Sequence, residues 1–284
     1  MSDSSLRNEQ ITRYLQTGLS DPIPRGWGND LYSSLQQSDS DFKIALIQEV
    51  DRRANGKFEF PVPSNDLIAF TRSRIEPMVN GLFPGIEREN VISVLEKSVV
   101  FITRQNISSL IQSSGRSTAW NLANLYLRGL SAECLNKSAS GFVGLCENTT
   151  CFVSTKYFAD DEKFADYVVH EAAHVFHSCK RRAIGLPETR SKEFLLNIEF
   201  CERETFAYAC EAFSCILRLA RNAAQRKELL DELRGSGSLP PDESVNLDKY
   251  WTSLEQAVQA RNGWKKILEI CAPQRHHQRL LLGE

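Results

Sequence analysis

The sequence predicts an α+β protein that is mainly helical, with a small mixed or antiparallel sheet. Three observations carry this. Apolar residues recur at helical spacing through most of the chain, whereas only "KSVVFITRQN" (97–106) and "GFVGLCENTTCFVSTKYF" (141–158) have the short, β-branched, turn-bounded pattern of strands. The stretch around residue 170 adds a third, since it reads as a helix with signals at both ends.

Taken in order, residues 1–85 form an N-terminal helical region: "FKIALIQEVDRRANG", a break at "PVPSN", then "DLIAFTRSRIEPMVNGLF". This region carries no chemical signature. The strand at 97–106 precedes a helix over "STAWNLANLYLRGL", and the second strand-like stretch divides into two strands about a turn at 147–150. A helix over 161–183 follows, with Asp160, Asp161 and Glu162 at its start, Lys180, Arg181 and Arg182 at its finish, and Gly185 and Pro187 beyond. Another spans 194–222. "GSGSLPP" (235–241) is a loop, and "LDKYWTSLEQAVQARNGWKKILEI" is a final amphipathic helix. Three regions result: 1–85, a core over 86–234, and a linker and helix over 235–284 that pack on the core. There is no internal repeat.

Composition narrows the partners. The 284 residues are 42% hydrophobic and 25% charged, ordinary for a soluble globular protein with one large core or two modest ones. A net charge of -2 with mixed signs along the chain gives no broad basic face, so neither nucleic acid nor an anionic membrane is an expected partner. The first twenty residues lack the apolar segment of a signal peptide, and no run reaches the roughly 18 apolar residues of a membrane span. A cytoplasmic location is therefore expected, with the eight cysteines mostly reduced. Cys146 and Cys151 flank "ENTT" and would staple a hairpin only in an oxidising compartment. By the same reasoning Asn106, Asn136 and Asn148, each heading an Asn-x-Ser/Thr triplet, are not expected to carry glycans.

The chemistry concentrates in "VVHEAAHVFH" (168–177), which holds three of the five histidines. At about 100° per residue, Tyr167, His170, His174 and His177 share one side of the helix, and Phe164, Val168, Ala172, Val175, Phe176 and Cys179 the other. The histidines are thus set apart from the apolar anchors. Imidazoles at i and i+4 stack one turn apart and can bind one tetrahedral ion, and a glutamate at i+1, here Glu171, projects beside the metal where it can hold a water. Zinc in a catalytic site needs a third protein ligand and an open position. His177 lies about 10 Å along the axis from His170, too far to share its ion, and is expected as a wall or hydrogen-bond donor of the cleft. The next helix offers glutamates instead. Cys201, Glu204, Tyr208, Glu211 and Cys215 share one of its sides, Phe206, Ala209, Cys210, Phe213 and Leu217 form the other, and Glu202 points to the apolar side. Either Glu204 or Glu211 could complete a His-His-Glu set.

His170-Glu171-Ala172-Ala173-His174, followed by Glu204-Thr205-Phe206-Ala207, resembles the gluzincin branch of the zincin metallopeptidases, and "ETFAYACEAF" is similar to the glutamate helix of anthrax-lethal-factor-type gluzincins. The resemblance covers roughly residues 140–220. It implies a zincin-like catalytic core with the sheet packed on the HExxH helix, a zinc ion as cofactor, and His170, His174 and Glu204 as its ligands, which favours Glu204 over Glu211. Many gluzincins have an acidic residue four positions after the ligand; Tyr208 stands there.

The expected activity is an intracellular zinc endopeptidase acting on a peptide or protein substrate, with a regulatory protein partner compatible with the N-terminal region. Glu171 would take a proton from the attacking water and pass it to the leaving amine. Tyr208, Tyr167 and His177 are candidates to steady the oxyanion. "CFVST" (151–155) would offer an open strand edge to an extended peptide. Two readings compete. Another zinc hydrolase, such as a deformylase, would need a cysteine ligand, and Cys146 in "GLCEN" fits that poorly. A non-catalytic binding protein would use zinc as a staple, with a fourth protein ligand such as Cys201 closing the site.

Overall fold

The computed structural model describes every residue except 1, 29, 63–65, 137–143, 148, 160, 161, 191, 238, 239, 241, 242, 244 and 273–284. In chain order the elements are α1 (Asp3–Thr17), α2 (Leu31–Ala54), α3 (Leu67–Leu82), α4 (Gly85–Ser98), β1 (Val99–Ile102), α5 (Ile107–Ser113), α6 (Arg116–Gly129), β2 (Gly144–Glu147), β3 (Thr150–Ser154), α7 (Tyr167–Ser178), α8 (Phe200–Leu219), α9 (Ala223–Gly235), α10 (Leu247–Gln259) and α11 (Gly263–Cys271). The protein is mainly helical, as its periodicity predicts. The chain divides into two compact units that interleave in sequence: residues 1–65, 100–147 and 152–160 form the first, and 66–99, 148–151 and 161–284 the second.

In the first unit α1, α2, α5 and α6 surround Tyr14, Phe42, Leu46, Val50, Leu122 and Tyr126. Gly18 ends α1 in the left-handed region, φ 71°, where an added Cβ would lie 2.8 Å from the Trp120 ring. Only glycine meets both conditions. The strands form one sheet in the order β1-β3-β2, lying in this unit apart from the first residues of β1 and β3. Two expectations are corrected here. The β1–β3 pair is parallel and not antiparallel, because the two strands are joined by the long crossover that contains α5 and α6, as a parallel pair requires. And β3 has a neighbour on each side, so "CFVST" offers no open edge to a substrate.

The second unit packs α7 against α8, with α3 along both and α10 and α11 against α8. Phe176 of α7 meets Phe83 edge-on at 5.8 Å, and Phe206, Cys210 and Phe213 bury the inner side of α8. Both expected long helices are shorter than read. α7 begins after Asp166, whose carboxylate accepts the Val169 N–H, so Phe164 lies outside the helix. It stops at Cys179 because the next residues pair with a later segment. Lys180 bridges Phe194, the Arg181 N–H donates to the Glu193 carbonyl, and the Leu195 N–H donates to the Cys179 carbonyl. That pairing holds residues 193–196 extended, so α8 starts only at Phe200. The final helix is also broken in two. Asn262 caps α11 through the Lys265 N–H, and a Cβ at Gly263 would meet Phe213 at 2.2 Å and the Ala257 carbonyl at 2.5 Å.

Cys134, Cys179, Cys201, Cys210, Cys215 and Cys271 are free, while Cys151 is disulfide-bonded. The side chain of Cys146, Asn148, and part of the 235–241 loop lie outside the described residues. No helix among those described is long and apolar enough to cross a membrane.

Candidate metal centre

Four residues of α7 and α8 build the site, all in the second unit. On α7 the i, i+4 spacing turns His170 Nε2 and His174 Nε2 toward each other at 3.1 Å. Glu204, in the second turn of α8, brings its Oε2 to 3.4 Å from His174 Nε2 and 3.9 Å from His170 Nε2. The three expected ligands thus converge as one group. The fourth, Glu211, is the alternative ligand and is placed elsewhere. Two turns beyond Glu204, it is buried, accepts from His170 Nδ1 at 3.0 Å and from the Asp166 N–H at 2.8 Å.

The contact with Nδ1 selects the tautomer of neutral His170. A carboxylate at Nδ1 holds the proton there and leaves the Nε2 lone pair facing His174 and Glu204. Burial works against a charged His170, but the Glu211 hydrogen bond, followed by the charges of Glu211, Glu171 and Glu204, outweighs it and pushes the pKa up to about 9. The pocket is therefore one that favours positive charge at this position. Burial acts first on Glu171 too, where it disfavours the carboxylate; His170 opposes it, Glu204 and Glu211 reinforce it, and the pKa is raised to about 7. Burial also opposes ionisation of Glu204, yet the hydrogen bond and charge of His174, then His170 and Arg203, hold its carboxyl below the usual range.

Whether these donors suit a metal can be tested on their spacing. A tetrahedral ion about 2.0–2.1 Å from each ligand atom requires the atoms to lie about 3.3 Å apart. The observed edges of 3.1, 3.4 and 3.9 Å bracket that value. Two imidazole nitrogens and one carboxylate oxygen are also a donor set that suits zinc better than a hard cation. Among the described residues no fourth histidine, cysteine or acid joins the group; Cys201 is exposed on the first turn of α8. An ion held by these three donors would keep a position free, as a metal-activated water needs.

Compared with known protein families, characterised proteins and solved structures, the chain matches none. The functional reading therefore rests on this geometry.

The remaining candidates are distributed unevenly. Tyr208 lies against a candidate ligand, its ring meeting that of His170 at 4.4 Å and 70°. Tyr167 opens α7, half-buried, one turn before His170 and outside the ligand group. His177 stacks on Phe194 at 6.4 Å and 14°, with its Nδ1 buried and lacking a hydrogen-bond partner. Glu202 is half-buried and pairs with Lys249 of α10. Sequence reasoning missed three residues. Asp166 caps α7 and is fully buried, a role its position three residues before Val169 could have signalled. Arg74 comes from α3 to within 3.7 Å of Asp166, and Arg203 lies 3.7 Å from Glu204. No local pattern marks either arginine.

Proposed function

We propose that the chain is a zinc-dependent metallopeptidase of gluzincin type, with His170, His174 and Glu204 as ligands and Glu171 as general base. The observation that carries this reading is the convergence of three ligand atoms beside a buried glutamate on the same helical turn. Zinc bound there would supply a polarised water near neutral pKa and a Lewis acid for the scissile carbonyl.

The chain's own residues do the rest. Glu171, raised to about 7, is poised to take a proton from water and return it to the departing amine. Glu211 keeps the proton of His170 on Nδ1, so that Nε2 stays a donor of its lone pair. Tyr208 packs its ring edge-on to that of His170, and its phenol is the candidate to support a developing oxyanion. A peptide or protein is the proposed substrate. Zinc as a folding staple is the poorer reading, because a closed site would require a fourth ligand that the described residues do not bring to the group.

Metal content by mass spectrometry, paired with cleavage of a peptide library, tests the proposal. Wild type should hold one zinc and cut; Glu204→Gln should lose the metal; Glu171→Gln should keep it while the rate falls by about 10²- to 10⁴-fold. Wild type that binds no zinc, or Glu171→Gln that cuts as fast as wild type, would overturn it.

A further inference from the structure

Arg203 stands next to the third ligand, yet the described residues leave part of its guanidinium unsatisfied. Its Nε is buried and has no hydrogen-bond partner. A buried N–H left unmade is uncommon and calls for an explanation. The nearest carboxylate oxygen is Glu204 Oε1, at 3.7 Å from the guanidinium and so beyond hydrogen-bond reach. Glu204 turns its other oxygen to the two histidines. In the same unit Arg72 reaches Glu89 at 2.8 Å and Arg181 closes on Glu87; Arg203 approaches Glu204 only at 3.7 Å and hydrogen-bonds to no acid among the described residues.

What holds Arg203 in place is aromatic. Its guanidinium lies 5.1 Å over the ring of Phe200, which is 69% exposed, and the Arg203 side chain itself remains 30% exposed. Its positive charge reaches both His174 and His177. The guanidinium is thus a preplaced cation, anchored on a ring, facing solvent and adjacent to the ligand cluster. Its planar set of N–H donors matches a carboxylate in two-point contact, which a lysine at the same position would not. Exposed Glu199 lies within electrostatic reach of His177.

From these observations we propose that Arg203 binds a substrate carboxylate, and that the chain's substrates are peptides with a carboxylate close to the scissile bond. The inference rests on the peptidase reading above and gives it a substrate class. An internal aspartate or glutamate and a free C-terminus offer the same chemistry, so the test separates them.

The measurement is fluorescence anisotropy with zinc-loaded Glu171→Gln protein, which binds without cutting. The probes are peptide pools of otherwise neutral sequence: capped at both ends with one fixed Glu, Gln or Lys, and a fourth pool with Gln and a free C-terminal carboxylate. One of the two carboxylate pools should bind at least tenfold more tightly than the capped Gln pool, and which one does identifies the source. Adding Arg203→Gln should abolish that preference, Arg203→Glu should shift it toward the Lys pool, and Arg203→Lys should retain part of it, all with one zinc per chain. Equal affinity for every pool, a preference that survives Arg203→Gln, or loss of zinc from Arg203→Gln would overturn the inference, the last by showing that Arg203 serves only to hold Glu204. Cleavage by wild type is scored separately. Carboxylate-selective binding without cleavage overturns the peptidase reading alone, whereas cleavage without carboxylate preference overturns the substrate class alone.

Discussion

The two units bury polar side chains in opposite ways. In the first, Arg116 and Lys43 end on backbone and on a compensating charge. Arg116 is the clearest case: it donates to Asp39 at 2.9 Å, to the Ser20 and Ser38 hydroxyls, and to the Leu35 carbonyl, while its guanidinium lies 5.1 Å over Phe42. The second unit gathers Asp166, Glu171, Glu204 and Glu211 around two histidines, with like charges raising the pKa of Asp166 and Glu171 in addition to burial. Burying acids together is unfavourable unless a cation joins them. The contrast separates a polar hub that fastens helices from acids and histidines gathered into one cluster that could hold a cation.

Removing Arg116 should have the largest effect on folding. Arg116→Ala leaves Asp39 with Lys43 as its remaining cation and removes the arginine donor from the Ser38 hydroxyl and the cation from the Phe42 ring, and should lower stability by about 2–3 kcal/mol, read by urea denaturation. Zinc content of the folded fraction should match wild type. Loss of zinc at full stability would erase the distinction between the units.

Glu211→Gln probes the other side of the comparison. The amide conserves shape but not charge, and its oxygen can still accept from His170 Nδ1. Losing the carboxylate should weaken zinc binding by about 10- to 100-fold, equivalent to about 1.4–2.7 kcal/mol, measured by competition with a chelating dye. Affinity equal to wild type would mean that Glu211 is only a helix-packing acid.

Much of this arrangement was legible because helical spacing is a local property. The i, i+4 pair fixed the facing of His170 and His174, and the one-sided distribution of Glu204, Tyr208 and Glu211 along α8 put all three near the same histidines. The choice between the two glutamates was not local, since it depends on how far α8 is advanced along α7. The ends of α7 failed for a related reason. Asp160 to Glu162 look like a helix start, but a buried Asp166 cap and the pairing of residues 179–181 with 193–196 come from tertiary contacts. The same holds for the central position of β3, which strand propensity cannot reveal.

The smallest predicted effect belongs to the first unit and concerns pH. Glu49 accepts from Arg52 and Arg53, and the Arg52 hydrogen bond is the main reason its pKa falls to about 2 from 4.5, against the opposing effect of burial. A carboxyl lowered in the folded state adds stability only where it is ionised. Its contribution is complete above the unfolded value of 4.5 and is lost as pH falls from there through about 2. Because Arg52 is 67% exposed, solvent screening reduces the effect to about 1 kcal/mol. Arg53, at 18% exposure, is the less screened partner and also donates to the Glu133 and Cys134 carbonyls. Urea denaturation of wild type and Glu49→Gln at pH 5 and near pH 2 should therefore converge as the pH drops, wild type starting about 1 kcal/mol more stable. Parallel curves would show that the pairing adds nothing, and that the first unit draws its stability from Arg116 and the apolar core.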